Sequence, residues 1–275
     1  MLVVILLSSL AINTAVSYFK DSAFASHTMT VGNVHVSQYE MYRDGDGLGN
    51  WSTFLDPEMP TLLPVVGDTT PVATEIPGLG VYDMVNAANV LDKIVCVENT
   101  GNEAAFLRTL FAFEMLPVTD EIGNVVGWLD PVADGQVVPV YNRNAGTWEC
   151  TGYSFIKNDV YYMVYAYTYT GQLQAAPNPE GEMTATEPNT APTTDTATMP
   201  ANISAPSLLQ VYLAHTVGNE FYQAIGTAYE ILILSQAVQT TELANAKEAF
   251  QTAFPYGQDG ANVAKWFGAD RNPEK

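Results

Sequence analysis

Alternating strand patterns, abundant turn formers and one late amphipathic stretch predict a mainly β chain: an antiparallel β-sandwich with a short C-terminal amphipathic helix. Tyr161, Met163, Tyr165, Tyr167 and Tyr169 share one face of a strand, and Tyr162, Val164, Ala166 and Thr168 share the other. With 15 Tyr, 11 Phe, 20 Gly and 16 Pro among 275 residues, the composition favours strands joined by turns. Helical spacing is confined to the end, where Leu243, Ala246, Lys247, Phe250 and Phe254 recur three and four apart.

In chain order, residues 2–16 form an apolar run, shorter than the roughly 20 residues that span a bilayer. Ala15-Val16-Ser17 offers small residues where a signal peptidase reads them. Residues 1–17 are therefore expected to be an export signal cleaved after Ser17, leaving 18–275 as one secreted domain. No Lys or Arg precedes Leu2, as would follow from a start further upstream; a retained anchor or buried helix is the other reading. Residues 28–31 alternate, with Met29 and Val31 on one face. After Gly32-Asn33 the apolar positions shift to Val34 and Val36, a parity change that predicts a bulge or bend.

Residues 42–77, rich in Gly, Pro, Asp and Thr, read as irregular connection. Residues 93–98 and 106–113 are strands flanking the turn Asn99-Thr100-Gly101-Asn102. Further strands are expected at 125–129, 137–141, 147–155, 161–169, 209–213 and 231–234. Between about 175 and 204, Pro, Thr, Ala, Glu and Asn replace large apolar residues, so this stretch is expected to be a disordered insertion within the sandwich.

Ten Lys and Arg against 30 Asp and Glu give a formal charge of −20. That balance argues against nucleic acid, whose phosphates need a run of cations, and against docking on anionic lipid. His27, His35 and His215 are the three histidines, and none falls in a zinc-protease pattern. The nucleophile elbow, the phosphate-binding loop and the dinucleotide loop are missing as well, so neither catalytic residues nor a cofactor are expected. Cys96 and Cys150 lie in strand candidates and form either a disulfide or two free thiols. Asp44-Gly45-Asp46-Gly47 resembles the start of a calcium loop, yet lacks the closing Glu; Asp44 and Asp46 are calcium candidates, and an acidic hairpin turn is the ordinary reading. The tyrosine row either stacks sugars or forms an intersheet layer, the commoner use of such a row.

Four segments carry a family resemblance: the apolar leader running into Val16-Ser17-Tyr18-Phe19-Lys20-Asp21, then FASHTMTVGNVHV at 24–36, KIVCVENTGNEAAFLR at 93–108 and YEILILSQAVQ at 229–239. Together they resemble the TasA/camelysin family, whose leaders are cut by a SipW-type signal peptidase. The long insertion and the missing positive leader end are departures from its pattern. The resemblance implies a jelly-roll-like sandwich, secreted to the extracellular matrix or cell surface, that builds biofilm-matrix fibres. It also implies that the mature N-terminal segment pairs as a donor strand with the next subunit, through Tyr18, Phe19, Phe24, Met29 and Val31. Partners would then be further copies of the chain, the signal peptidase during export and an accessory matrix protein, with no membrane attachment after cleavage. Two other readings stand beside it: a monomeric surface adhesin displaying the insertion, and a camelysin-type metallopeptidase, for which no zinc motif is found.

Overall fold

The computed structural model describes residues 18–21, 27–31, 34–45, 47–50, 63–176, 200–219, 221, 224, 228–241 and 243–269. The proposed leader at 1–17, Phe24, Asp46 and most of the proposed insertion lie outside them. The main sheet is built on β9 (Ala105–Glu114) and β16 (Ala228–Gln239), which pair antiparallel from Ala105↔Gln239 to Phe113↔Ile231. Both strands are nearly continuous apolar runs because each face of the sheet is covered. β9 pairs in turn with β14 (Val160–Leu173), and β14 with the edge strand β13 (Gly146–Lys157). The other edge of β16 carries β1 (Tyr18–Asp21) and β2 (His27–Val31), one after the other and both parallel to it. Among the described strands, the pairing is thus antiparallel except at the N-terminal edge.

The opposing layer contains β3 (Val36–Asp44), β4 (Gly47–Asn50), β7 (Leu91–Asp92), β8 (Ile94–Asn99), β12 (Val137–Tyr141) and β15 (Leu208–Leu213), in the orders β4-β3-β8 and β12-β15-β7. Backbone hydrogen bonds from β8 and the residue before it to the segment 202–209 join the two groups, among them Ser204 N–H to Val97 O at 2.8 Å and Lys93 N–H to Leu209 O at 2.9 Å. Pro139 pairs opposite Val211 on β12, an edge strand, where its missing N–H costs no ladder bond. The core between the layers includes Val95, Val97, Leu107, Phe111, Phe113, Tyr167, Val211, Leu213, Ile231 and Ile233, all essentially buried. A polar chain also crosses it: Lys93 donates to Glu40 at 2.6 Å, Gln38 to the same carboxylate at 2.8 Å, Ser235 to Gln38 at 2.7 Å, and Thr109 lies 3.1 Å from Ser235.

Two helices cover the outer face of the main sheet. α1 (Ala246–Ala253) starts at Asn245, whose side chain accepts the Glu248 N–H at 3.0 Å. It lays Phe250, together with Phe254 just past its end, on Phe106 and Val238, as the spacing predicted; Lys247 stays exposed. α2 (Ala261–Trp266), beyond the sequence expectation of one helix, packs with Phe267 on Phe155, Leu110 and Leu232. The outer face of the second layer is covered by the hairpin β5 (Val72–Ile76) and β6 (Gly80–Met84), which buries Ile76, Leu79 and Met84 against Met41, Ile94 and Cys96. The hairpin β10 (Leu116–Thr119) and β11 (Val125–Leu129) follows β9.

One expectation is corrected and one open alternative is settled. Residues 42–77 are not all irregular: β3 continues to Asp44, β4 follows it, and β5 begins at Val72. The bulge or bend expected at 32–33 lies outside the described residues; on either side of it β2 pairs with β16, while Val34 enters the intersheet core and β3 joins the second layer. The Cys96–Cys150 bond is not formed. Cys96 is buried under the β5–β6 hairpin, whereas Cys150 is exposed on β13, an edge of the other sheet.

Candidate functional site

The N-terminal strands occupy the edge of β16. Tyr18, Phe19, Lys20 and Asp21 lie in register with Ala228, Tyr229, Glu230 and Ile231. Further along, His27 to Val31 lie in register with Leu234 to Val238. Of the proposed donor residues, Tyr18, Phe19 and Val31 are placed by backbone pairing. Met29 is half-buried beneath the helices, and its sulfur accepts the Gln236 side-chain amide at 3.9 Å. In the single chain this strand therefore fills its own sheet edge.

The turn at 99–101 anchors the body just beyond that arm. Asn99 is fully buried; its amide donates to Glu103 O at 2.7 Å and Gln174 O at 2.9 Å, and its oxygen accepts the Gly101 N–H at 3.0 Å. Thr100 N–H donates to His35 O at 2.8 Å, where the chain crosses between sheets. A Cβ on Gly101 would stand 2.8 Å from His35 N, so glycine is required for this close approach. The Asn-Thr-Gly motif thus joins β8, the start of β9, the end of β14 and the root of the N-terminal arm.

An acidic cluster stands beside β1. Glu114, at the end of β9, accepts the Glu230 N–H at 3.0 Å; Tyr162 donates to the Glu230 carboxylate, and Tyr229 donates to Glu114 O at 2.9 Å. Burial raises the Glu114 carboxyl to about 7, with the nearby Glu230 charge adding to the effect and the accepted N–H opposing it. Sequence reading missed this cluster, because its members come from different strands and share no local motif.

The tyrosine row is an intersheet layer, the ordinary reading. Tyr165 donates to Asp130 at 2.7 Å and Tyr167 to Asn142 O at 2.6 Å, while Tyr169 lies 3.2 Å from Ser204 Oγ. Tyr161, at its end, stacks on Trp128 with ring centroids 3.8 Å apart. Asp44 closes β3 opposite Gly47, and Gly45 at φ +57° makes the tight link that an acidic hairpin turn requires. Among the described residues no group of three or more His, Cys, Asp or Glu is arranged to hold a metal, and no helix is long and apolar enough to cross a membrane.

Compared with known proteins, the chain matches no family model, no curated protein and no solved structure.

Proposed function

We propose that this chain is a secreted structural subunit of extracellular matrix fibres, assembling by exchange of its N-terminal strand between copies. One observation carries the reading: among the described residues, the strand nearest the mature N-terminus pairs along one side only, at the edge of β16. An arm bound at an edge leaves by breaking a single ladder, and the edge it vacates accepts the same segment of another copy. Residues 18–33, ahead of the core residue Val34, reach roughly 50 Å when extended, enough to cross to a neighbouring sandwich. Each copy donates one arm and accepts one; with the arm passed to a copy other than its own donor, the contact is head-to-tail and grows a filament rather than closing a dimer. The export-signal pattern and the resemblance to the TasA/camelysin family support the same reading, with signal cleavage freeing the arm. A second reading, a monomeric surface binding protein, draws on the same strand being paired within its own chain.

Electron microscopy of protein starting at Tyr18, beside a version lacking residues 18–31, tests the proposal. Filaments from the first and discrete particles from the second are expected. Filaments from both would move the interface elsewhere. In a Cys150→Ser background, Met29→Cys with Gln236→Cys places a cysteine on each strand at a registered pair. Covalent ladders in filaments follow from exchange, whereas exclusively intramolecular links in filaments would refute it.

A further inference from the structure

The outer face of the main sheet carries a polar row among its apolar residues under the helices. Gln236 on β16, Arg108 on β9, Thr168 on β14 and Thr147 on β13 are successive cross-strand partners, so the four side chains line up on the helix-covered face. The neighbouring positions on β9, Phe106 and Leu110, are buried apolar residues. Arg108 is 5% exposed, and among the described residues it forms no ion pair with a carboxylate. Its partners are neutral: Gln236 Oε1 at 3.0 Å from Nε, Tyr256 Oη at 3.1 Å and Phe254 O at 3.3 Å. The guanidinium also lies over the rings of Phe250 and Tyr256, at 4.6 and 4.8 Å from their centroids. The nearest opposing charge that acts on it is Glu149 across the groove, beyond ion-pair distance, and a buried cation held mainly by neutral partners is costly to fold around.

The row opens into a groove of about 450 Å³ between α1 and the sheet. Arg108 lies along it together with Lys247, an exposed second cation in a chain of formal charge −20. The wall also includes Thr147 and Thr168, Tyr153 and Tyr256, and Glu149, beside apolar residues of α1 and the turn after it. We propose that this groove binds an acidic sugar, with the uronate carboxylate held by Arg108 and Lys247. The sugar's hydroxyls donate to Glu149 and exchange hydrogen bonds with the two threonines, and the tyrosine rings take its apolar ring faces. An acidic peptide side chain fits less well, since it would meet Glu149 without offering hydroxyl donors to it. This site does not depend on strand exchange and stands for a monomer or a filament alike.

Digalacturonate, titrated calorimetrically into the full secreted chain with a neutral galactose disaccharide as control, tests the proposal. Binding of the uronate, about tenfold or more tighter than that of the neutral sugar, is expected, as for losing one charged hydrogen-bonded partner. Arg108→Gln should abolish the preference. Lys247→Glu, at an exposed position that leaves the fold intact, should weaken uronate binding about tenfold on the same reasoning and keep the proposal testable if the buried variant does not fold. Absence of uronate binding at millimolar concentration, or equal binding of both sugars, would overturn it. So would a Glu-containing tripeptide that binds in a Lys247-dependent way where the uronate does not.

Discussion

Glu114→Gln should abolish the pH dependence that the carboxyl now imposes on stability. The Glu114 side chain is largely buried at the end of β9 and titrates at about 7 rather than 4.5. The folded chain therefore holds this proton more tightly than the unfolded chain, by about 3 kcal/mol at 1.36 kcal/mol per pH unit. Between the two values the folded state binds more protons than the unfolded state, so the stabilisation is complete below 4.5 and is lost as pH rises through 7. Glutamine keeps the oxygen that accepts the Glu230 N–H and never ionises. The variant should match the parent at about pH 4 and exceed it by about 3 kcal/mol at about pH 8. Urea unfolding of both proteins across that range, read by tyrosine and tryptophan fluorescence, measures the difference directly. Parallel curves, with the same loss of stability in parent and variant, would refute the assignment of this carboxyl as the group that titrates.

Three further outcomes follow from the buried polar contacts and the thiols. Lys93→Met leaves Glu40 facing the interior without its 2.6 Å partner and should cost about 3–5 kcal/mol in denaturant titration, much of it restored by adding Glu40→Gln. Should the double variant be no more stable than the single one, the pair is not the source of the loss. Asn99→Ala strands two backbone carbonyls and leaves the Gly101 N–H only its longer bond to His35 O, so a loss of about 3 kcal/mol is expected, with faster amide exchange near His35 and Gln174. Iodoacetamide should label Cys150 in the native protein and Cys96 only after unfolding, because burial encloses Cys96 and pushes its thiol up. Equal labelling rates, read by peptide mass spectrometry, would contradict the placement of Cys96 under the β5–β6 hairpin.

The amino-acid sequence by itself determined the class of fold and its central strands. β14 was legible because aromatic residues alternate along it, and β8 and β9 because a turn motif separates two apolar runs. The C-terminal helix was legible from its three-and-four spacing. β4, at the edge of the second layer, and the covering strands β5 and β6 escaped because they are short and Gly-containing or largely exposed, so no long alternation develops. Which strands become neighbours was decided only by the tertiary structure. Periodicity reports the face a residue takes, but not the residue opposite it, which depends on register between segments far apart in the chain. That register sets Arg108 beside Gln236 and Thr168, brings Glu114 to Glu230, and leaves Cys96 and Cys150 in separate layers. It also seats the N-terminal strand on β16, since an alternating apolar segment fits any open edge of the right length and only the folded body offers one beside it.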